Sequence, residues 1–175
     1  VLVTHVPAGS GHEKAAEAVC SAIRALQPDA ETLLMNGLDG MSSAYQWAFT
    51  QGYLDLIHRF PGLWGIAYHL LDLRGFAWAA YKLHRLSNAS HGKVLEGILT
   101  YQHPDVFIAT HFFPSEVASY LKIKGLLQAK LITVITDYMP HSVWSAPGTD
   151  FYGVGMELTK EELVRRGVPA AKVRV

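Results

Sequence analysis

The sequence predicts an α/β domain of the Rossmann-like, doubly wound kind, built on a parallel sheet. Residues 1–6, 106–109 and 131–135 are apolar almost throughout, which is typical of strands buried on both faces. Stretches with helical spacing of apolar residues alternate with these strands along the chain. Strands and helices that alternate in this way form a parallel sheet covered by helices on each side.

The first third of the chain opens with the strand at 1–6 and a glycine turn. A helix is predicted over 12–26, ending at Gln27-Pro28-Asp29, and a second strand over 31–35. The segment 42–86 also has a helical pattern, interrupted at Pro61-Gly62 and at Gly75. This aromatic-rich region is predicted to be inserted between the second and third strands.

The rest of the chain continues the alternation. A helix over 93–101 precedes the strand at 106–109, and Pro114 is predicted in the first turn of a helix over 115–122. Strands at 131–135 and 151–154 follow. Thr159 and Glu162 have the spacing of a capping box, with Thr159 as the N-cap of a helix that ends at Arg166-Gly167. The last residues, 173–175, resemble the start of a further strand.

Composition narrows the class of protein. The 175 residues are 50% hydrophobic and 17% charged, with a formal net charge of +0, so the chain is expected to fold as one domain with a sizeable core. A dedicated nucleic-acid binder is excluded because no strong basic field is present. The single cysteine, Cys20, excludes an intrachain disulfide and a multi-cysteine zinc site. Both ends fall in strand-like segments, so we expect a fragment of a longer protein, without a signal peptide or membrane span in this part.

Ligands of doubly wound sheets bind beyond the carboxyl ends of the strands. The turn with Gly9, Ser10 and Gly11 lies there, and its glycines allow a ligand to approach the backbone at a helix N-terminus. Lys14 occupies the place of the third glycine of the dinucleotide fingerprint, and the phosphate-loop signature is absent as well. The alternative is a tight turn that needs glycine for its geometry alone.

His12 begins the helix after this turn. A cationic histidine is disfavoured in the first turn of a helix, so His12 is expected to be neutral near pH 7 and able to accept a proton from a substrate hydroxyl. The alternative is a capping or simply exposed histidine.

The segment 136–144 leaves a strand at the same edge. Asp137 and His141 are candidates there, since a carboxylate can orient an imidazole or a sugar hydroxyl; the alternative is an Asx turn at Asp137 with Trp144 packed in the core. A further interpretation joins His5, His12, His111, His141 and Asp137 into a zinc or iron site, although no closely spaced ligand pair is present.

Aromatic and basic residues are concentrated in 42–86. Tryptophan and tyrosine favour the lipid headgroup region, and basic residues favour anionic lipids, which predicts helices lying on a membrane surface. An ordinary helical core or a protein–protein interface is the alternative. The candidate interface residues are Trp64, Tyr68, Arg74, Trp78, Tyr81, Lys82 and Arg85.

Several of these segments, in their order along the chain, resemble the N-terminal domain of the monogalactosyldiacylglycerol synthase and processive diacylglycerol glucosyltransferase family. The resemblance is carried by Ala8-Gly9-Ser10-Gly11-His12, by 102–108 leading into 110–114 (Thr-His-Phe-Phe-Pro), and by 134–138 (Val-Ile-Thr-Asp-Tyr) with His141 and Trp144. The final segments, 158–163, 167–169 and 172–175, match in character. The ordered set covers essentially the whole chain.

The resemblance implies the acceptor-binding, N-terminal half of a two-domain glycosyltransferase of the GT-B type. Such an enzyme transfers glucose or galactose from a UDP-sugar to diacylglycerol with inversion, without a metal or other cofactor, at the cytoplasmic side of the membrane as a peripheral protein. A C-terminal domain would bind most of the UDP-sugar. The implied partners are diacylglycerol, an anionic membrane surface and that second domain.

Site residues follow from the residue pattern and the resemblance together. His12 and Asp137 are the candidate catalytic residues, with either as the base or with Asp137 orienting His12. The candidate substrate-binding residues are Gly9, Ser10, Gly11, His111, Thr136, His141 and Trp144. Three other functions stay open: a GT-B transferase of N-acetylglucosamine to a polyprenyl-linked acceptor, a non-catalytic lipid- or partner-binding module, and a metal-dependent hydrolase.

Overall fold

The computed structural model describes residues 1–60, 62, 65 and 92–175. In this part of the chain, six parallel strands form one sheet in the order β2-β1-β3-β4-β5-β6. The strands are β1 Leu2–His5, β2 Leu33–Asn36, β3 Val106–Ala109, β4 Lys130–Ile135, β5 Phe151–Val154 and β6 Val173–Arg174. The predicted doubly wound α/β sheet is confirmed.

Helices fill the connections between these strands. They are α1 Ser10–Leu26, α2 Ser43–Phe49, α3 Gln51–Arg59, α4 Lys93–Gln102, α5 Phe112–Ile123 and α6 Glu157–Arg165, with short 3₁₀ helices at Ser142–Trp144 and Ala170–Lys172. Helix α5 starts three residues before the predicted boundary because His111 caps it, so Pro114 is the third residue of its first turn.

Both faces of the sheet are buried. Leu2, Phe107 and Leu131 pack in one cluster with Leu99 of α4 and Leu121 of α5. On the opposite face, the sheet packs against α1 through a second cluster of Val3, Ile108, Ala16 and Cys20. Because side chains alternate along a strand, the residues two positions beyond Val3 and Ile108 are directed to the α1 face at the carboxyl edge. These residues are His5 and Thr110.

The predicted capping box at Thr159 and Glu162 is wrong. Helix α6 already begins at Glu157, so Thr159 lies inside its first turn, where its hydroxyl donates to the carbonyl of Tyr138 at 2.9 Å. Glu162 accepts hydrogen bonds from Arg165 and Arg166 and does not reach back to the helix start. The Thr159 and Glu162 side chains therefore bind groups other than the backbone of the helix start. The spacing of the two residues in the sequence does not reveal these partners.

The segment 42–86 is described only in part. Helices α2 and α3 confirm the helical prediction as far as residue 59, and Tyr45 and Phe49 of α2 pack against the main core. All of the predicted membrane-interface residues lie outside the described residues: Trp64, Tyr68, Arg74, Trp78, Tyr81, Lys82 and Arg85. Among the described helices, none combines the length and the hydropathy needed to cross a bilayer.

A partly buried ion pair ties α5 to the entrances of two strands. Lys122 donates to Asp150 at 2.5 Å and to the carbonyl of Ala129 at 2.7 Å, and the same Asp150 oxygen accepts the backbone N–H of Leu131 at 2.7 Å. Burial acts to raise the pKa of Asp150, but the hydrogen bonds from Lys122 and Leu131 outweigh it, so the pKa lies below its ordinary value of 3.8.

We expect Asp150→Asn to lower the free energy of unfolding by about 1–2 kcal/mol at pH 7, because Lys122 loses its counter-charge. The ionised carboxylate stabilises the fold above the unfolded-state pKa, and this stabilisation is lost as the pH falls below 3.8. Urea unfolding at several pH values measures the difference, which should vanish in acid. Asp29→Asn, at an exposed position, is the control. An equal effect of the two substitutions at pH 7 would contradict the assignment.

Candidate functional site

The glycine turn sets the direction in which α1 leaves the sheet. Gly9 has φ 91°, a conformation that side-chain-bearing residues rarely adopt, and it is the residue before the first helical position, Ser10. The chain therefore turns sharply after β1 and places His12, in the first turn of α1, over the carboxyl ends of β3 and β4. Gly9, Ser10 and Gly11 are exposed there.

The His12 ring is fixed by two contacts at a single nitrogen. Nδ1 lies 2.7 Å from the carbonyl oxygen of Thr110 and 2.9 Å from the hydroxyl oxygen of Thr136. A carbonyl oxygen only accepts hydrogen bonds, so Nδ1 carries the proton. In the neutral ring, Nε2 then holds a lone pair. The Thr110 hydroxyl donates to the backbone carbonyl of His12 at 2.7 Å, so Thr110 holds both the ring and the helix start.

Burial is the main influence on the protonation of His12. It lowers the pKa of the imidazole below the ordinary value of 6.5. The Thr110 carbonyl and the Asp137 carboxylate oppose this effect in part, and His5 adds to it. From the sequence, the position of His12 at a helix N-terminus predicts a neutral imidazole. The structure adds a larger cause, the burial of the ring.

Asp137 and Trp144 form one unit beside His12. The Trp144 indole N–H donates to Oδ2 of Asp137 at 2.8 Å, and Trp144 is buried with its ring centroid 6.2 Å from that of His12. Asp137 itself is exposed. Thr110, rather than Asp137, therefore orients the imidazole through a hydrogen bond, while Asp137 acts on His12 through its charge.

His111 forms the wall of the site between α1 and α5. It caps α5, with Nδ1 accepting the backbone N–H of Phe113 at 3.2 Å. Its ring meets that of His12 edge to face, with centroids 4.8 Å apart, and lies 4.2 Å from the ring of Phe112. The buried ring therefore both holds the helix start and packs against His12.

His141 is the sequence-predicted residue that these contacts do not bring to His12. It is buried ahead of the 3₁₀ helix Ser142–Trp144, and its Nδ1 lies 3.2 Å from the Ser142 hydroxyl. The structure thus assembles His12, His111, Thr136 and the Asp137–Trp144 unit at one edge, bordered by the glycine turn.

The metal-site interpretation gains no support from this geometry. Within 1–60, 62, 65 and 92–175, no group of three or more His, Cys, Asp and Glu side chains is arranged to hold a metal ion. Nδ1 of His12 and Nδ1 of His111 are already used in hydrogen bonds to the protein backbone.

Thr110 is the site residue that sequence reasoning missed. Its only signal is position: it is a polar residue that directly follows an apolar strand whose carboxyl end faces the predicted site. The contacts of its carbonyl and hydroxyl with His12 join residues 98 positions apart. Sequence spacing carries no information on such a pair.

A protein-family profile matches most of the chain. The profile described as "Monogalactosyldiacylglycerol (MGDG) synthase" matches residues 12–175. This chain belongs to the monogalactosyldiacylglycerol synthase family. The resemblance inferred from the ordered motifs is thereby confirmed.

Curated relatives are processive diacylglycerol beta-glucosyltransferases. The protein from Staphylococcus epidermidis strain RP62A is 33% identical over 81 residues, which are 46% of this chain and 20% of that protein. The protein from Staphylococcus carnosus is 32% identical over 104 residues, or 59% of this chain and 24% of that protein. The matched part is thus about a quarter or less of each relative's length.

A solved structure shares the fold. The lipopolysaccharide outer core galactosyltransferase WaaB, in its apo form, superimposes with a TM-score of 0.57 at 14% identity, covering 99% of this chain and 44% of that protein. At this identity, the similarity shows that the two proteins share a fold.

The hydrogen-bond pattern predicts the tautomer of His12. At pH 7, ¹⁵N chemical shifts should show a neutral ring with the proton on Nδ1 and none on Nε2. The protonation midpoint should lie below 6.5, because burial disfavours the cation. A signal from an Nε2–H tautomer would contradict the role of the Thr110 carbonyl, and loss of the Nδ1–H signal in His12→Gln assigns the resonance.

Proposed function

We propose that this chain is the acceptor-binding half of an enzyme that transfers glucose or galactose from a UDP-sugar to the hydroxyl of diacylglycerol. The observation that carries the proposal is the neutral His12 ring, with its proton held on Nδ1 and the lone pair of Nε2 at the carboxyl edge of the sheet. Membership of the family and the names of the relatives support the acceptor class.

The proposed reaction assigns one step to His12. The acceptor oxygen forms a bond to the anomeric carbon of the sugar while the bond from that carbon to UDP breaks, with inversion. The hydroxyl proton moves to Nε2 of His12. As the ring gains positive charge, its Nδ1–H bond to the Thr110 carbonyl strengthens, and the nearby charge of Asp137 favours the cation. His12 is therefore the base and Asp137 its electrostatic support.

The glycine turn is proposed as the place where the donor approaches. Gly11 is helical and exposed, and a Cβ added there would meet nothing within 4 Å, so the fold itself does not require glycine. The exposed backbone N–H groups of the first turn of α1 suit an anion such as a diphosphate. A second domain is proposed to bind most of the UDP-sugar, with no metal or cofactor in the chemical step.

Membrane contact is proposed for the segment 42–86 on the aromatic and basic pattern of its sequence. The implied partner is an anionic lipid surface on the cytoplasmic side, from which diacylglycerol reaches the site. Phe49, at the end of α2, packs 6.2 Å from His111 between ring centroids, so the described start of this segment adjoins the His12 site.

The decisive experiment uses the full-length gene product with labelled UDP-glucose or UDP-galactose and diacylglycerol in mixed micelles. We expect a glycosyl-diacylglycerol product, and His12→Ala should lower kcat by about 100-fold or more, as expected for loss of a general base. His103→Asn removes a histidine at the amino edge of the sheet and is the control, since asparagine tolerates the left-handed φ of 41° there.

The pH dependence of the activity is a second test of His12 as the base. The acid limb of kcat/KM should lie below pH 6.5, because His12 stays neutral to a lower pH than an ordinary histidine. His12→Ala activity within a few-fold of wild type would remove His12 from the mechanism. Transfer from UDP-N-acetylglucosamine to a polyprenyl-linked acceptor, without transfer to diacylglycerol, would overturn the proposed substrate.

The Gly11→Ala variant distinguishes a role of Gly11 in donor binding from a role in folding. Because a Cβ fits and alanine is the better helix former, we expect unchanged or slightly higher stability, by at most about 1 kcal/mol. Transfer should nevertheless fall, with KM for the UDP-sugar raised about tenfold. Gly97→Ala is the matched control, since Gly97 is also helical, exposed and open around its Cβ position. Equal kinetics for the two variants would contradict a donor contact at the glycine turn.

A further inference from the structure

Thr136 and Asp137, which directly follow β4, leave one hydrogen-bond donor and one acceptor unused beside His12. Both residues lie at the carboxyl edge of the sheet, where Thr136 is partly buried and Asp137 is exposed. The proposed mechanism uses Asp137 only through its charge and gives Thr136 no contact with a substrate. The donor and the acceptor follow from the way in which the two side chains are held.

The Thr136 hydroxyl has a hydrogen to donate. Its oxygen lies 2.9 Å from Nδ1 of His12, which carries the ring proton because the Thr110 carbonyl at 2.7 Å can only accept. A nitrogen that bears a hydrogen cannot accept one, so the Thr136 oxygen is the acceptor in this contact. Within residues 1–60, 62, 65 and 92–175, no other hydrogen bond involves this hydroxyl. Its hydrogen is therefore available to a ligand at this edge.

Asp137 presents the complementary acceptor. Its Oδ2 accepts the Trp144 indole N–H at 2.8 Å, which orients the carboxylate. The other oxygen, Oδ1, takes part in no hydrogen bond or ion pair with the described residues, and the side chain is exposed. A carboxylate oxygen only accepts, so Oδ1 suits an O–H group of a ligand and would form a charge-assisted hydrogen bond with it.

The reaction at His12 brings a sugar to these two groups. This step rests on the proposed function, in which one acceptor oxygen gives its proton to Nε2 of His12 and bonds to the anomeric carbon. The hexose that carries this carbon must therefore lie against His12, whose ring Thr136 contacts and with whose charge Asp137 interacts. Each hydroxyl of a hexose both donates and accepts, so one hydroxyl can donate to Oδ1 while another accepts from Thr136.

We propose that Thr136 and Asp137 bind two hydroxyl groups of the transferred hexose, with the Thr136 hydroxyl as donor and Oδ1 of Asp137 as acceptor. The pair recognises the positions of two hydroxyls, so it contributes to the choice of sugar from the same half of the enzyme that carries the base. Removal of either hydroxyl from the UDP-sugar then weakens transfer, because one group of the pair is left without a partner.

The test measures transfer by the full-length gene product to diacylglycerol from UDP-glucose or UDP-galactose and from deoxy analogues of the sugar that is used. For the wild type, removing the hydroxyl that Oδ1 binds should lower kcat/KM about tenfold, through loss of a charge-assisted hydrogen bond. Asp137→Asn keeps the Trp144 contact through its amide oxygen, since an indole N–H only donates, and so places an NH₂ group where Oδ1 was. This variant should no longer discriminate against that analogue. Asp29→Asn, at an exposed position, is the control and should discriminate as the wild type does.

Thr136→Val and Thr136→Ser test the donor of the pair. Valine has the shape of threonine without the hydroxyl, so KM for the UDP-sugar should rise about tenfold, whereas serine keeps the hydroxyl and should keep KM within about twofold. The acid limb of kcat/KM should not move, because the Thr110 carbonyl still holds the His12 ring. A shifted acid limb with unchanged KM would assign Thr136 to the positioning of His12 and overturn the proposal.

Three further outcomes bear on the pair. Transfer by the wild type with the same discrimination in Asp137→Asn and Thr136→Val overturns the pair and leaves the proposed function standing. A KM change confined to the acceptor also overturns it, since the two groups then bind the acceptor and not the transferred hexose. No transfer from any UDP-hexose to diacylglycerol overturns the proposed function and this inference together.

Discussion

Two hydrogen bonds between α1 and Thr110, the residue after β3, hold the candidate site together. Nδ1 of His12 donates to the Thr110 carbonyl, and the Thr110 hydroxyl returns a bond to the His12 backbone. The first fixes the tautomer and the second fixes the helix start against the strand. Because both depend on a sharp exit from β1, the positive φ of Gly9 is the backbone condition for the whole arrangement. The neighbouring Trp144 and His111 rings then pack around a side chain already set in place.

Much of this fold is predictable from sequence, because continuous apolar strands and amphipathic helices leave few architectures. The strands at 106–109 and 151–154 are found at their predicted bounds. The capping box at Thr159 fails for a definable reason: its hydroxyl satisfies the Tyr138 carbonyl, 21 positions away, and Glu162 pairs with arginines. A local motif is reliable only where no distant partner competes for the same side chain.

The sequence predicts which segments form the candidate site, but it does not predict the hydrogen bonds between their residues. Topology alone brings the glycine turn, His111 and Thr136 to one edge of the sheet. It does not reveal that Asp137 is held by the Trp144 indole while a backbone carbonyl holds His12. A carboxylate is the partner usually expected for a catalytic histidine. In this structure, the partner of the His12 ring is the neutral carbonyl group of Thr110.

This neutral partner changes what His12 can do as the proposed base. A carboxylate bonded to Nδ1 stabilises the imidazolium strongly and raises the pKa, whereas a carbonyl stabilises it less, so burial prevails and the pKa of His12 falls. A base of low pKa is deprotonated over a wider pH range but draws the proton less strongly. The nearby charge of Asp137 offsets part of this loss once the ring becomes cationic. The arrangement therefore suits the proposed transfer, in which departure of a good leaving group makes the acceptor hydroxyl more acidic as the new bond forms.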